Sequence, residues 1–400
     1  MTIWPVIRLA DHCDVITKGT TPTTVGYDFS DSGIPFIRVQ NVGDLDVSVD
    51  RDVLFVDEDT HRALNRSHIR PGDVLVSIAG TIGRVSIVPD GAPPMNCNQA
   101  VAIVRTTPDF HKPYLRHWLQ SHGAQDQMRG SAVTGTISNL SLEQLGRLKV
   151  PLPPIAEQRR IAEILDKAHA LRAKRRAALA QVDSLSQSVF LEMFGDPSSN
   201  QSDWPLVRVG DVADVQGGLQ VSAARKNYLR EVSYLRVANV FRGYLDLKDI
   251  KLIRASDGEI ARTSLLKDDL LIVEGHGNPA EIGRAALWDG SIPGCVHQNH
   301  LIRARFDAES IIPVYACTYL NSPFGRRHLL GAGKTTSGLN TINVSEVRAT
   351  PIPKPPVQLQ LKFAERIRAI GRLKANCYAA RLEIDRFFAS LQHRAFRGEL

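Results

Sequence analysis

The chain has 400 residues, too many for one ordinary hydrophobic core, so two or more domains are expected. Its composition, 43% hydrophobic and 23% charged, is that of a globular protein, and no run of about 18 apolar residues is present to span a membrane. Net charge is +7, and residues 157–194 (+2) and 360–397 (+6) carry all of it, leaving the rest near neutral. Basic stretches are usually just solvated faces; two in matching places point to a polyanion partner.

In chain order, Met1-Thr2-Ile3-Trp4-Pro5 runs straight into strand-like sequence, so no signal peptide is expected. Residues 1–150 carry short apolar runs such as Asp73–Ile78 and Gly83–Val88, punctuated by Gly, Asp and Pro, followed by a helical stretch from about Lys112 to Met128. Residues 151–196 read as one long helix. It opens after Pro153-Pro154 and closes at Phe194-Gly195-Asp196-Pro197. Its apolar stripe is Ile161, Ile164, Ala168, Leu171, Ala178, Val182, Leu185 and Val189. A polar linker, Asp196 to Asp203, leads into residues 197–350, again strands and turns, with a helical stretch from Ile312 to Leu330. Residues 351–400 hold the second long helix, with a stripe of Phe363, Ile370, Leu373, Cys377, Ala380, Ile384, Phe387 and Leu391. At 1.5 Å per residue each helix is a rod of roughly 60 Å. A single stripe that long needs a partner, and the other copy is the nearest; antiparallel pairing within the chain is expected, against packing on each helix's own domain or on another subunit.

The strongest feature is that the chain is written twice, with an offset of about 200 that drifts only between 196 and 202. Trp4–Asp11 matches Trp204–Asp211, and Phe36–Val42 matches Tyr234–Val240. Gly72–Val76 matches Asp268–Ile272, Ile82-Gly83-Arg84 matches Ile282-Gly283-Arg284, and Gln99 is set against Gln298. Val150–Pro154 matches Ile352–Pro356. Two copies of a fold imply two similar surfaces. The expected class is α+β: two mixed, β-rich domains joined by two long helices that form an antiparallel coiled coil.

Motifs for chemistry are missing. Gly277-Asn278-Pro279-Ala280 lacks the second proline and the aromatic of a methyltransferase loop and reads as a turn. Gly331–Thr336 ends like a phosphate-binding loop, but His328 stands where its first glycine belongs. The histidines show no H-E-x-x-H spacing, and no nucleophile elbow occurs. The five cysteines are scattered with no C-x-x-C pair, as expected of free thiols in a reducing cytoplasm.

Side chains able to read base edges are plentiful, because Asn and Gln can bond adenine and Arg guanine. The candidates in the first copy are Lys18, Arg38, Gln40, Asn41, Arg84, Asn96, Asn98 and Gln99, with Arg129 and Thr134 in a Gly-containing loop. In the second they are Arg236, Asn239, Arg284, Gln298 and Asn299, with Lys334, Thr335, Thr336 and Asn340 in a loop suited to a phosphate backbone. Two domains reading different sequences should differ where they touch bases, so matched pairs such as Arg38 and Arg236 are equally readable as structural.

The whole chain resembles the specificity subunits of type I restriction–modification enzymes. The resemblance rests on the repeated Trp-Pro-x-x-Arg-x-x-Asp start, on Ile34–Val42, on Gly72–Leu75, and above all on Pro151-Leu152-Pro153-Pro154-Ile155-Ala156-Glu157-Gln158-Arg159-Arg160-Ile161-Ala162. The second copy keeps Pro355, Pro356 and Gln360 but not the Glu-Gln pair. The resemblance implies two target-recognition domains, an antiparallel helical spacer, and a bipartite, asymmetric target in double-stranded DNA. It also implies a non-catalytic cytoplasmic chain that binds two methylation subunits and, through them, restriction and motor subunits. S-adenosylmethionine, ATP and magnesium would belong to those partners. The competing readings are a fused restriction or methylation enzyme with a degenerate site, and a coiled-coil scaffold that binds proteins.

Overall fold

The computed structural model describes residues 4–49, 52–131, 139–196, 204–332, 334–336 and 339–400; for Ser131, Asp183, Ala332, 334–336 and 339–340 only the backbone is described. The protein is α+β and divides into two units, Met1–Arg176 with Ala379–Leu400, and Ala177–Tyr378. The division cuts both long helices, Ile155–Phe194 and Val357–Ala395, so each unit contains part of each.

The first unit is built on a four-stranded antiparallel sheet in the order Cys13–Lys18, Val101–Thr106, Val74–Ser77, Val85–Ile87. A three-stranded sheet lies beside it: Ile34–Ile37 runs antiparallel to Leu54–Val56 and parallel to Asn96–Cys97. The second unit repeats both. Its larger sheet is ordered Ala213–Gly217, Leu301–Phe306, Leu270–Val273, Ala285–Leu287, and its smaller one pairs Arg230–Leu235 with Lys251–Ala255 and Val296–His297. The motifs at the two ends of each repeat meet in a short antiparallel pair, Ile7 beside Val150 and Val207 beside Ile352. The central strands are buried along their whole length, which explains their continuous apolar runs.

The single helical stretches expected near 112–128 and 312–330 are each two helices: Lys112–Leu119 and His122–Ser131, then Pro313–Asn321 and Pro323–Ala332. The break falls at a serine in both copies. The Ser322 hydroxyl accepts the Gly325 N–H at 3.1 Å, and Pro323 is set for a helix start.

Each long helix is fastened to its domain by a buried glutamine. The Gln158 amide accepts the His111 N–H at 2.8 Å and donates to the carbonyls of Asp109 and Pro153, both at 2.9 Å. Gln360 accepts the Ile312 N–H at 2.8 Å and donates to Pro355 at 2.8 Å and Ser310 at 3.2 Å. The second copy lost the Glu-Gln pair but kept the one side chain that makes these bonds.

In the first unit the two helix segments run in opposite directions. Arg172 pairs with Asp385 at 2.7 Å and lies over the Phe388 ring, and nearer the helix start Arg160 donates to the Leu400 carbonyl at 3.0 Å. Phe388 and Ala395 join the core of the first unit, as Phe190 and Phe194 join that of the second. The apolar stripes differ from the sequence expectation. Leu171 is 48% exposed and Phe387 62% exposed, and Leu185 and Leu373 are also exposed. Leu165, Leu179 and Phe388 are buried instead. Each of these three directly follows a predicted stripe residue or its apolar neighbour, and spacing alone cannot choose between adjacent apolar positions.

Candidate nucleic-acid interface

In the first unit the parallel pairing of Ile37 with Cys97 sets the geometry. The Asn98 N–H donates to the Ile37 carbonyl at 3.1 Å, which brings Arg38–Asn41 beside Asn98-Gln99. Lys18 ends the neighbouring strand opposite Ala102. The next residue must be glycine, because a Cβ on Gly19 would stand 1.9 Å from the Cys97 carbonyl oxygen. The same close approach recurs at Gly218, 2.3 Å from the His297 and Gln298 carbonyl oxygens. A shallow groove results, lined by Val39, Gln40, Ala79, Thr81, Arg84 and Ala100. Arg84 is exposed there, and Gln99 is exposed and accepts the Thr21 hydroxyl. Asn98 caps its own turn by accepting the Ala100 N–H at 3.2 Å. Asn96 is buried beside His61 and donates to the Leu64 carbonyl at 3.3 Å. Arg129 is exposed, 3.5 Å from Asp126, on a helix that touches the groove rim through Gln125, a donor to the Gly83 carbonyl at 2.9 Å. Thr134 lies outside the described residues.

The matched Arg-x-x-Asn segments form loop clasps. Asn41 is buried and its carbonyl accepts the Arg38 N–H at 2.9 Å. The Arg38 guanidinium donates to the Asp52 carbonyl at 2.7 Å and to its carboxylate at 3.1 Å, and Gln40 donates to the same carboxylate at 2.9 Å. Asn239 accepts the Arg236 N–H at 2.9 Å and donates to the carbonyls of Asp246 and Asp249, at 2.9 and 3.1 Å. Arg236 is held by the Asp249 carboxylate at 2.8 Å. Donors from Gln40 and Arg38 hold the Asp52 carboxyl below the usual carboxylate range, and those from Lys251 and Arg236 do the same for Asp249. In this structure the four clasp residues bond the protein's own loops.

In the second unit the Gln298 N–H donates to the Leu235 carbonyl at 2.9 Å. That is the bond Asn98 makes in the first, so Gln298 corresponds to Asn98 and Asn299 to Gln99, one place from the match drawn on sequence. Arg284 differs sharply from Arg84. It is buried, bonds Glu281 at 3.1 Å and the Val237 carbonyl at 3.0 Å, and lies 5.2 Å over the Phe241 ring. Arg242 reaches the Ala280 carbonyl at 2.9 Å and Glu281 at 3.5 Å, and Arg326 also donates to Ala280. Burial pushes the Glu281 carboxyl up, but the Arg284 hydrogen bond and the two guanidinium charges outweigh it, and the group titrates below its ordinary range.

The expected phosphate-following loop is a hairpin. Lys334–Thr336 and Leu339–Thr341 are antiparallel strands, and the second also pairs with Gly275–His276, placing Asn340 opposite both Thr335 and His276. Backbone hydrogen bonding to residues 275–276 overrides the glycine-rich composition. The side chains of Lys334, Thr335, Thr336 and Asn340 lie outside the described residues.

Residues 275–281 mark where the copies diverge. The Gly83 N–H bonds the Ser77 carbonyl and the Gly283 N–H bonds Val273, so six positions in the first unit become ten in the second. Sequence reasoning passed over the residues gathered there, Glu274, His300, Arg242 and Arg326. The drift of the repeat offset from 196 to 200 was the available signal.

Residues 1–181 match a family described as the type I restriction modification DNA specificity domain. Over 399 residues the chain is 23% identical to the type I restriction enzyme EcoKI specificity subunit of Escherichia coli (strain K12), covering 92% of this chain and 83% of that one. It is 24% identical over 397 residues to the StySPI specificity subunit of Salmonella potsdam, with the same coverage. Its fold is shared with a chain from a solved type I R-M system, at a TM-score of 0.64 and 18% identity over 100% of this chain and 99% of that one. It is also shared with the type I restriction–modification S subunit of M. genitalium, at a TM-score of 0.52 and 14% identity over 99% and 96% of the two chains. The duplicated α+β chain is thus similar, over most of its length, to specificity subunits of type I restriction enzymes, and its first 181 residues match the DNA specificity domain of that family.

Proposed function

We propose that this chain is the non-catalytic, sequence-reading subunit of a type I restriction–modification enzyme. Each repeat acts as a target-recognition domain for one half of a bipartite, asymmetric sequence in double-stranded DNA. The observation that carries this reading is the recurrence of one backbone frame in both units, with the same bonds edged by different side chains: exposed Arg84 and Gln99 in one, and buried Arg284 with a four-residue insertion in the other. A shared frame with divergent edges is what two readers of different half-sites require.

The two long helices act as an antiparallel coiled-coil spacer. Two contacts on one duplex must be spaced by about a helical turn, roughly 34 Å, or a multiple of it, and a stiff rod fixes such a distance where a flexible linker would not. Two methylation subunits and the restriction and motor subunits assemble on this chain in the cytoplasm, and S-adenosylmethionine, ATP and magnesium are theirs to bind. No helix among the described residues is long and apolar enough to cross a membrane.

The test is selection from random duplexes by the chain in complex with its methylation subunits, followed by sequencing of the bound pool. The expected result is a split motif with a fixed gap, of which exchanging residues 1–150 for a homologous domain alters one half. No enrichment, or a change in both halves, would reject the reading.

A further inference from the structure

The two units make the same backbone bond at the end of a central strand, and place different chemistry on it. In the first, the Ile78 N–H donates to the Ala100 carbonyl at 2.8 Å; Ala79 and Ala100 line the groove and Ile78 is buried. In the second, the Glu274 N–H donates to the His300 carbonyl at 3.0 Å. Two apolar side chains are thus replaced by a carboxylate and an imidazole, 3.3 Å apart from Glu274 Oε2 to His300 Nδ1. The first unit builds the same strand ending without charges, so the fold does not require them.

The surroundings make this pair more than an ordinary surface contact. The Glu274 side chain keeps only about a quarter of its exposure, and burial pushes its pKa up while His300 works against that shift. The Glu274 carbonyl accepts the Ile342 N–H at 2.8 Å, which ties the 334–341 hairpin to the same place. The insertion begins at the very next residues, and Asn299, beside His300, donates to the Leu219 carbonyl at 2.9 Å. A partly desolvated carboxylate, paired with His300 among the described residues, accepts hydrogen bonds and gives none. Among base edges its complement is an exocyclic amino group, N4 of cytosine or N6 of adenine.

We propose that Glu274, oriented by His300, is a specificity-determining residue of the second domain and selects a base that presents an amino group. This rests on the reading of the chain as a DNA-recognition subunit.

The experiment repeats the duplex selection on the complex with its methylation subunits, comparing wild type with Glu274→Gln, Glu274→Ile and His300→Ala. Glu274→Ile installs the residue the first copy carries and so guards against simple misfolding. Glutamine both donates and accepts, so it should tolerate bases the carboxylate rejects. The expected result is a loss of roughly tenfold in discrimination at one position of one half-site in the Glu274 variants, with the other half and the melting temperature unchanged. A motif intact at every position in the variants overturns the assignment, as does a uniform loss across both halves with a lowered melting temperature. If the wild-type complex selects no motif, the underlying reading fails and the assignment falls with it.

Discussion

Arg105 grips the buried carboxylate of Asp73 edge-on, Nε to Oδ1 at 2.8 Å and Nη2 to Oδ2 at 2.7 Å. Asp73 Oδ2 also accepts the Arg70 N–H at 2.7 Å, so one side chain closes a turn and holds a strand. The second unit has the same device: Arg305 holds Asp269 through two bonds of 2.7 Å, and Asp269 accepts the Leu266 N–H at 2.7 Å. Asp73→Ala would leave a guanidinium without its partner and an orphaned N–H, and should cost about 3 kcal/mol, toward the lower end for a broken buried pair because Arg105 is partly exposed. Denaturant unfolding checks this; a loss under 1 kcal/mol would show that the pair contributes little.

Gln158→Leu and Gln360→Leu should each destabilise the junction between long helix and domain. Each removes three bonds and strands one N–H and two carbonyls in the interior, at about 3 kcal/mol in total. Hydrogen exchange should quicken at the His111 amide in the first variant and at Ile312 in the second. Unchanged protection at both would refute the role given to these glutamines.

Gly72 and Asp268 occupy the same turn with positive φ, 80° and 71°. Glycine is at ease there and aspartate is strained. Asp268→Gly should therefore raise stability slightly, by about 0.5 kcal/mol after the entropy glycine adds to the unfolded chain. Gly72→Ala should lower it by about 1 kcal/mol, because alanine is strained at that φ; the Lys112 ammonium, 1.9 Å from the added Cβ, ends a flexible side chain that can swing aside. Paired thermal melts decide it, and equal shifts for the two changes would contradict the account.

His297 is buried, and burial lowers its pKa to about 4. The unfolded imidazole takes up a proton near pH 6.5 that the folded one refuses until about pH 4. Stability from this group is thus complete above pH 6.5 and drains away as pH falls to 4, by roughly 3 kcal/mol. Unfolding of the second unit followed by urea at pH 7, 5.5 and 4.5 should show the decline, and His297→Gln should flatten it. A slope that survives the substitution belongs to other groups.

Arg84 and Arg284 match in sequence and differ in burial. Arg84→Ala should leave stability within about 0.5 kcal/mol and weaken duplex binding by the complex about five- to tenfold. Arg284→Ala should cost about 2 kcal/mol by leaving Glu281 with one fewer guanidinium. Calorimetry and duplex titration separate the two effects; a stability loss at Arg84 would move it into the structural class.

Read alone, the sequence determined the duplication, the α+β content, and the two long helices with their Pro starts, because these rest on local periodicity and on matches that survive along the chain. It did not determine which residue of an adjacent apolar pair faces inward: Phe387 and Phe388 are equivalent to any spacing rule, and only packing against the first unit's core buries Phe388. Nor did it tell a free base-reader from a clasp. Arg38 and Arg236 find their carboxylates thirteen or fourteen residues away, at Asp52 and Asp249, and Arg284 finds Glu281 and the Phe241 ring. A polar side chain's partner is chosen by distance in space, and that is set only when the strands have paired.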